Sequence, residues 1–149
     1  MKLEQEIKQP KFRNDFHKLT VNIIYTYNWL VKGQMELFQK YDITGNQFNV
    51  LRILRGQYPN PATIFLLRER MLDKMSDASR LVERLRVKGL VKRELSSKDR
   101  RRVDVIITDK GLKLLANIDK LNYNFDAFFK RLTKVEARKL NDLLDKLRS

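Results

Sequence analysis

The sequence has no cysteine, one histidine, five glycines and three prolines among its 149 residues. Without cysteine, the chain forms no disulfide, thiolate metal site or iron–sulfur cluster, and no thiol serves as a nucleophile or peroxide sensor. The single histidine, His17, leaves transition metals almost without ligands. The glycines form no phosphate-binding loop, and no nucleophile stands in a recognisable frame with a base. We therefore expect no metal, no cofactor and no enzymatic activity.

Long apolar runs are also missing from the sequence. No run approaches the roughly 18 residues that a membrane span needs. The segment before Asp15 carries six charged side chains and no apolar stretch of the kind found in signal peptides. We expect a cytoplasmic protein without membrane contacts, built as a single domain, since 149 residues are enough to bury one core.

Positive charge is what the sequence has in excess, with 32 Lys and Arg against 18 Asp and Glu and a net charge of +14. The segment from Arg80 to Arg102 holds ten cations and three anions, so +7 of the +14 lies in 23 residues. Such clustering is typical of a surface that contacts nucleic-acid phosphates. Because leucines and valines interleave with the cations, the segment belongs to a folded element and not to a disordered tail.

Apolar periodicity and capping residues predict a mostly helical chain. A long amphipathic helix is expected over 14–40, and a Thr44–Gln47 capping box predicts a short helix after it. Thr63 is a predicted N-cap for the next helix. Apolar residues at helical spacing predict one continuous helix over 112–132, and a Thr133–Glu136 capping box predicts the last helix.

A further helix is predicted to run from an N-cap at Ser76 to Lys88, with Gly89 as the left-handed residue behind it. The predicted buried stripe consists of Ala78, Leu81, Val82 and Leu85. The opposite face carries Arg80 and Arg84, which could pair with guanine, and serines, which could contact base edges or phosphates. Taken alone, the pattern fits a plain amphipathic surface helix equally well.

Two β-like runs, Leu90–Leu95 and Val103–Ile107, flank a polar loop over 96–102 and predict a hairpin with a cationic tip. Helix, turn, helix and basic hairpin is the order of a winged helix-turn-helix. In that fold the second helix enters the major groove, and the wing reaches phosphates or the neighbouring minor groove. The predicted fold class is mainly α with a small β-hairpin wing.

Three motifs in this region occur together: the segment 76–91, the triplet Asp99-Arg100-Arg101, and Val105-Ile-Ile-Thr108 followed by Gly111. Together they resemble the core of the MarR family of bacterial transcriptional regulators, and the resemblance extends from about residue 14 to the last residue. It implies a homodimer that binds double-stranded DNA at a palindromic operator, and a role as a repressor.

In the resembled family the first helix and the last two helices interlock between subunits. The implied division is therefore into dimerisation helices at 14–40 and 109–149 and a winged helix-turn-helix lobe at 44–108. The apolar residues of the terminal helices agree with it, because they exceed what a winged helix of about 70 residues could cover. A two-fold dimer would place the recognition helices about 34 Å apart.

The resemblance also assigns roles to residues. Arg101 matches the wing arginine that enters the minor groove, and Asp99 matches the acid that orients it. Lys74 matches a phosphate contact in the turn, whereas Arg100 and Arg102 are extra cations without a counterpart, expected to touch phosphates. The full predicted DNA-binding set is Lys74, Ser76, Ser79, Arg80, Arg84, Lys98, Asp99, Arg100, Arg101 and Arg102.

Many members of the resembled family release DNA on binding a small aromatic or amphipathic anion in a crevice between the two lobes. Tyr25, Tyr27, Trp29 and Phe48 could border such a crevice here, although aromatic residues at helical spacing are more often core residues. Two other functions stay open. One is an architectural or non-specific nucleic-acid-binding protein, and the other is a protein-interaction module that has lost DNA binding, which the +7 segment disfavours.

Overall fold

The computed structural model describes residues 1–149 as eight α-helices, a short 3₁₀ turn and three strands. The helices are α1 (Leu3–Glu6), α2 (Asp15–Gln39), α3 (Gly45–Gln57), α4 (Ile64–Arg70), α5 (Ala78–Val87), α6 (Asp109–Asp119), α7 (Asn122–Asp126) and α8 (Lys134–Arg148). The strands are β1 (Ala62–Thr63), β2 (Val91–Leu95) and β3 (Val103–Ile107). The predicted fold class, mainly helical with a small antiparallel sheet, is confirmed. No helix has both the length and the apolarity that crossing a bilayer requires.

Local capping explains where the first long helices begin. The Asn14 side chain accepts a hydrogen bond from the backbone N–H of His17 at 2.9 Å and so starts α2. At α3 the capping box is complete, because the Gln47 N–H donates to the Thr44 hydroxyl and the Thr44 N–H donates to the Gln47 side chain, each at 3.1 Å. Thr63 likewise caps α4 by accepting from the Leu66 N–H. These three predictions from the sequence are confirmed.

The start of α5, the predicted recognition helix, differs from the prediction by one residue. Asp77 is the N-cap, and its carboxylate accepts a hydrogen bond from the Arg80 N–H at 3.1 Å. The predicted cap, Ser76, is wrong because its hydroxyl is engaged in the preceding turn, where it donates to the Asp73 carbonyl at 2.6 Å. The carboxylate of Asp77 also suits the positive end of the helix dipole. At the other end, Gly89 has the predicted left-handed backbone, with φ of 73°.

The sheet holds the predicted hairpin and one further strand. β2 and β3 pair antiparallel, with Val91 opposite Ile107 and Leu95 opposite Val103. β1 adds to the other edge of β3, so that β3 is central. A strand of two residues leaves no alternating pattern in a sequence, which is why β1 was not predicted.

The buried core joins α3, α5, the sheet and α6. Ala78, Val82 and Leu85 of the predicted stripe are buried, and Leu81 is half-buried against them. The residues of the core cluster all lie between Phe38 and Ile118. As a result, α5 and the wing are fixed to one rigid body, whereas α8 contributes no buried residue.

The predicted continuous helix over 112–132 is wrong, because the chain turns between α6 and α7 and tightens into a 3₁₀ turn at Ala127–Phe129. The interruption carries two phenylalanine rings onto α2. Phe125 packs against Phe38 with ring centroids 5.5 Å apart, and Phe128 meets Trp29 edge to face at 5.7 Å. Tertiary packing of these rings overrides the local helical pattern.

Candidate nucleic-acid interface

The outward face of α5 is built by the burial of its inward face. With Ala78, Val82 and Leu85 in the core, the 100° step of the helix leaves Ser79, Arg80 and Arg84 exposed. The guanidinium groups of Arg80 and Arg84 make no ion pair or hydrogen bond within the chain, and the Ser79 hydroxyl has no partner either. A helix of ten residues is about 15 Å long, which fits within the major groove.

Apolar side chains on this side of the molecule were not among the predicted site residues. Leu72 and Met75 in the turn before α5 are 87% and 94% exposed, and Val87 at the end of α5 is 73% exposed. An exposed apolar side chain can contact the methyl group of thymine. The helical spacing already predicts that Val87 lies on the outward face of α5, whereas the exposure of Leu72 and Met75 is known only from the fold.

Two predicted contacts of the turn are already engaged within the chain. The Lys74 ammonium donates to the carbonyls of Arg68 and Glu69 at the end of α4, where it caps that helix. The Ser76 hydroxyl donates to Asp73, as described above, and the residue is half-buried. Lys74 and Ser76 thus lie beside the exposed face of α5, but their polar atoms stabilise the turn.

The tip of the wing is a tight loop organised by Asp99. Its carboxylate accepts a hydrogen bond from the backbone N–H of Arg101 at 3.0 Å, and its carbonyl accepts from the Arg102 N–H at 3.0 Å. The nearest guanidinium to the carboxylate is that of Arg102, at 3.9 Å, and not that of Arg101. The side chains of Lys98, Arg100 and Arg101 are exposed and unpaired. Asp99 therefore positions Arg101 through its backbone.

Ion pairing divides the ten cations of the segment from Arg80 to Arg102 into two groups. The four cations with a carboxylate within 4 Å are Arg86, Lys88, Arg93 and Arg102. The six without one are Arg80, Arg84, Lys92, Lys98, Arg100 and Arg101. All of the second group except Lys92 belong to the predicted site. Lys92 is exposed on β2, in which only Val91 is buried, and its place in the basic segment was the signal in the sequence that could have found it.

The aromatic residues considered for a ligand crevice do not meet at one place. The Tyr25 hydroxyl donates to the Glu6 carboxylate at 2.7 Å, and this hydrogen bond raises the pKa of Tyr25. Trp29 packs on Phe128, whereas Phe48 packs on Phe38 with ring centroids 4.6 Å apart. Within one chain, these aromatic residues therefore pack in separate places.

A concave site of about 410 Å³ lies elsewhere, where the junction of α2 and α3 meets the end of α5 and the start of α6. We call it the lysine cleft; its walls are Lys88, Lys110, Lys113, Tyr41, Leu90 and Leu114. Lys110 donates to the Lys88 carbonyl at 2.9 Å, and Lys88 pairs with the exposed Asp42 carboxylate at 3.3 Å. Lys113 has no partner. Three cations over a partly apolar floor suit an amphipathic anion.

Apolar surface is left uncovered on the terminal helices. Phe16 at the start of α2 is 79% exposed, and α8 has a stripe of exposed apolar residues at helical spacing, including Leu140, Leu143 and Leu147. Isolated exposed apolar residues are normal, but a stripe of them along one helix indicates an interface. The patch lies on the helices that the sequence assigned to dimerisation.

Comparison with known proteins finds relatives that cover nearly the full length of the chain. The sequence model of the MarR family matches residues 41–102. A MarR-like transcription regulator from Bacillus cereus is 27% identical, with a TM-score of 0.80 over 90% of this chain and 96% of that one. A Cys-to-Ser mutant of MarR from E. coli, solved with operator DNA, is 25% identical, with a TM-score of 0.79 over 92% and 98%.

A third solved structure resembles the chain in fold. It is BpsR of Bordetella bronchiseptica, whose DNA binding is regulated by 6-hydroxynicotinic acid, and it is 21% identical, with a TM-score of 0.75 over 89% of this chain and 99% of that one. No curated protein matches the sequence.

Proposed function

We propose that the chain is a DNA-binding transcription regulator of the MarR family, whose sequence model matches residues 41–102, and that it acts as a homodimeric, sequence-specific repressor. Members of this family are regulators and not enzymes. In the proposed complex α5 lies in the major groove and the wing reaches the adjacent minor groove. The observation that carries the proposal is the pair of unpaired guanidinium groups, Arg80 and Arg84, on the exposed face of a helix whose other face is fixed in the core.

The proposed DNA-binding residues fall into three groups. Ser79, Arg80 and Arg84 face the bases, because they are exposed on one side of α5. On the wing, Arg101 enters the minor groove and its neighbours neutralise phosphates, while Asp99 shapes the loop. Lys74 and Ser76 remain part of the proposed surface as residues that hold the turn. The wing cations proposed for phosphate contacts are Lys98, Arg100 and Arg102.

Sequence specificity separates a regulator from an architectural protein, and one binding experiment measures it. Affinity for the upstream intergenic sequence is compared with affinity for a random duplex at one fixed salt concentration. A regulator prefers its operator by about 10³-fold or more. A ratio near one would favour the architectural protein, and no binding to either duplex would favour the interaction module.

A substitution on α5 tests which residues read bases. Arg80→Ala is expected to weaken operator binding by about 1–3 kcal/mol and to relax discrimination at one base position. Arg131→Ala is the control, because it removes an exposed arginine that lies outside the helix and the wing. Equal effects of the two substitutions would contradict the proposed orientation of α5.

We propose that two copies pair through α2 and α8, with 14–40 and 109–149 as dimerisation helices and 44–108 as the DNA-binding lobe. The support is the uncovered apolar stripe of α8, in which no residue is buried. Covering such a stripe is worth about 25 cal/mol per Å² of apolar surface. Light scattering on the full chain measures the oligomeric state directly, and a stable monomer at micromolar concentration would refute the dimer.

We also propose that a small amphipathic anion binds the lysine cleft and releases DNA. The end of α5 lines this cleft, and Lys110 holds the Lys88 carbonyl at that end, so an anion that recruits these amines would act directly on α5. BpsR offers a parallel, since an aromatic acid regulates its DNA binding. By linkage, a ligand that weakens DNA binding is itself bound more weakly when DNA is present.

Benzoate is a suitable probe for the cleft, with benzamide as its neutral counterpart. Benzoate should shift the methyl resonances of Leu90 and Leu114 and lower operator affinity, whereas benzamide should do neither. Lys113→Gln should weaken benzoate binding several-fold. Lys130→Gln should not, because Lys130 is an exposed lysine that does not line the cleft. Equal binding of benzoate and benzamide would exclude an anion site.

A further inference from the structure

Glu83 is the only acidic residue of α5, and its carboxylate binds two arginines from two different elements. Arg86 of the same helix donates from Nε to Oε2 at 3.0 Å and from Nη2 to Oε1 at 2.7 Å. Arg93 of β2 places Nη1 at 3.4 Å from Oε2. One carboxylate thus joins the helix to the wing strand through two guanidinium groups.

This three-residue cluster, which we call the Glu83 bridge, is charged at neutral pH. The hydrogen bond from Arg86 lowers the pKa of Glu83, with a smaller contribution from the charge of Arg93, and the same hydrogen bond raises the pKa of Arg86. Glu83 is 40% exposed in its side chain, so water and salt screen the attraction. An ion pair of this exposure adds little to folding stability.

The location of the Glu83 bridge points to a role in DNA binding and not in folding stability. It lies between α5 and β2, the two elements that the proposed function brings to the major groove and the minor groove. In the proposed complex the DNA strand between those grooves runs past this junction. A guanidinium there would bind a phosphate as readily as a carboxylate, because both offer two oxygens to its planar fork. Without Glu83, Arg86 and Arg93 would be two further phosphate ligands.

We propose that Glu83 is a positioning residue that withholds Arg86 and Arg93 from the DNA phosphates and holds β2 against α5. Phosphate contacts strengthen binding to every duplex, whereas base contacts strengthen binding to the operator alone. Occupying two arginines with a carboxylate therefore lowers affinity for every duplex and leaves base contacts with a larger share of the binding energy at the operator. The inference rests on the proposed DNA-binding function and adds a determinant of its affinity and of its salt dependence.

Glu83→Gln tests the role, because it keeps the shape of the side chain and removes its charge. Glu94→Gln is the matched control, because it raises the net charge of the protein by the same amount. Glu94 is exposed on β2, the strand that carries Arg93, and no cation pairs with it. Affinity for the operator and for a random duplex is measured at several salt concentrations for the full-length wild type and both variants.

We expect Glu83→Gln to bind random DNA about tenfold more tightly and to steepen the log–log salt dependence by one to two counterions per subunit. Binding to the operator should tighten by a similar factor, because phosphates are common to both duplexes. Glu94→Gln should leave the slope within half a counterion of the wild type. Adding Arg93→Gln to Glu83→Gln should restore about half of the change in slope, which a merely structural role of Glu83 would not produce.

Three results would overturn the inference. Equal changes in Glu83→Gln and Glu94→Gln would mean that net charge alone is responsible. Weaker binding of Glu83→Gln to random DNA would mean that the bridge supports phosphate contacts and does not prevent them. A wild-type protein whose binding has no salt dependence would refute the DNA-binding function itself, and the role of Glu83 with it; the first two results would leave that function intact.

Discussion

Two helical glycines allow a sharp test of the packing around the end of α5. Gly111 lies in the first turn of α6, where an added Cβ would sit 2.4 Å from the Leu90 carbonyl oxygen and 2.7 Å from Ile107 Cγ1. The Leu90 oxygen cannot move freely, because it accepts a hydrogen bond from the Thr108 N–H at 3.1 Å. Gly56, near the end of α3, has no atom within 4 Å of the same added Cβ.

The opposite surroundings predict opposite signs for the same chemical change. Gly56→Ala should raise the free energy of unfolding by about 0.5–1 kcal/mol, because alanine loses less backbone entropy in a helix than glycine does. Gly111→Ala gains the same amount of stability from backbone entropy, but its new Cβ has to displace the backbone at Leu90. Such overpacking costs about 1–3 kcal/mol. Weakening the bond from Thr108 to Leu90 adds about 1 kcal/mol. We expect a net loss of about 1–3 kcal/mol.

Urea denaturation followed by circular dichroism measures both variants, at one fixed protein concentration because a dimer unfolds in a concentration-dependent way. In thermal melts, about 2–4 °C of shift in Tm per kcal/mol is expected for a chain of this size. The refuting result is a Gly111→Ala protein as stable as Gly56→Ala. It would mean that α6 slides away from Leu90 without cost, so that the wing and the recognition helix are less rigidly joined than the packing indicates.

Three further substitutions test the wing, the last helix and the dimer. Arg101→Ala should weaken operator binding and flatten the log–log salt dependence by about one counterion, and an unchanged slope would exclude a phosphate or minor-groove role. Thr133→Ala removes the hydroxyl that accepts from the Glu136 N–H at 3.2 Å and should cost about 1 kcal/mol in urea denaturation. Leu143→Asp puts a charge into the exposed stripe of α8 and should yield a monomer in light scattering with unchanged helix content; a persistent dimer would place the interface elsewhere.

Features that depend on a few neighbouring residues could be predicted from the sequence. The capping boxes at Thr44 and Thr133 act over three residues, and their hydrogen bonds are present as expected. The buried stripe of α5 follows from a period of 3.6 residues and needs no knowledge of its partners. The order of helices and strands then narrows the fold to a winged helix, because few arrangements bury such faces together.

Features that depend on distant partners could not be predicted in the same way. Asp77 and Ser76 are both good N-caps, and the choice between them depends on whether the Asp73 carbonyl captures the serine hydroxyl. The break after α6 follows from the docking of Phe125 and Phe128 on α2, which the helical spacing of those residues does not reveal. In each case two local solutions of similar energy exist, and a contact across the fold selects one.

The charge of the segment from Arg80 to Arg102 shows why a count of cations overstates the number that are free to bind phosphates. The sequence places Glu83 within three residues of Arg80, Arg84 and Arg86, and a helix allows pairing with any neighbour at i±3 or i±4. The fold brings in Arg93 from the wing, and the carboxylate is then shared by Arg86 and Arg93. Arg80, at i−3, stays unpaired for that reason, whereas Arg84 is adjacent to Glu83 in sequence and does not face it on the helix. The anion that lowers the net charge of α5 thus also pairs some of its cations and not others, and the number of unpaired cations, not the net charge, should govern the salt dependence of binding.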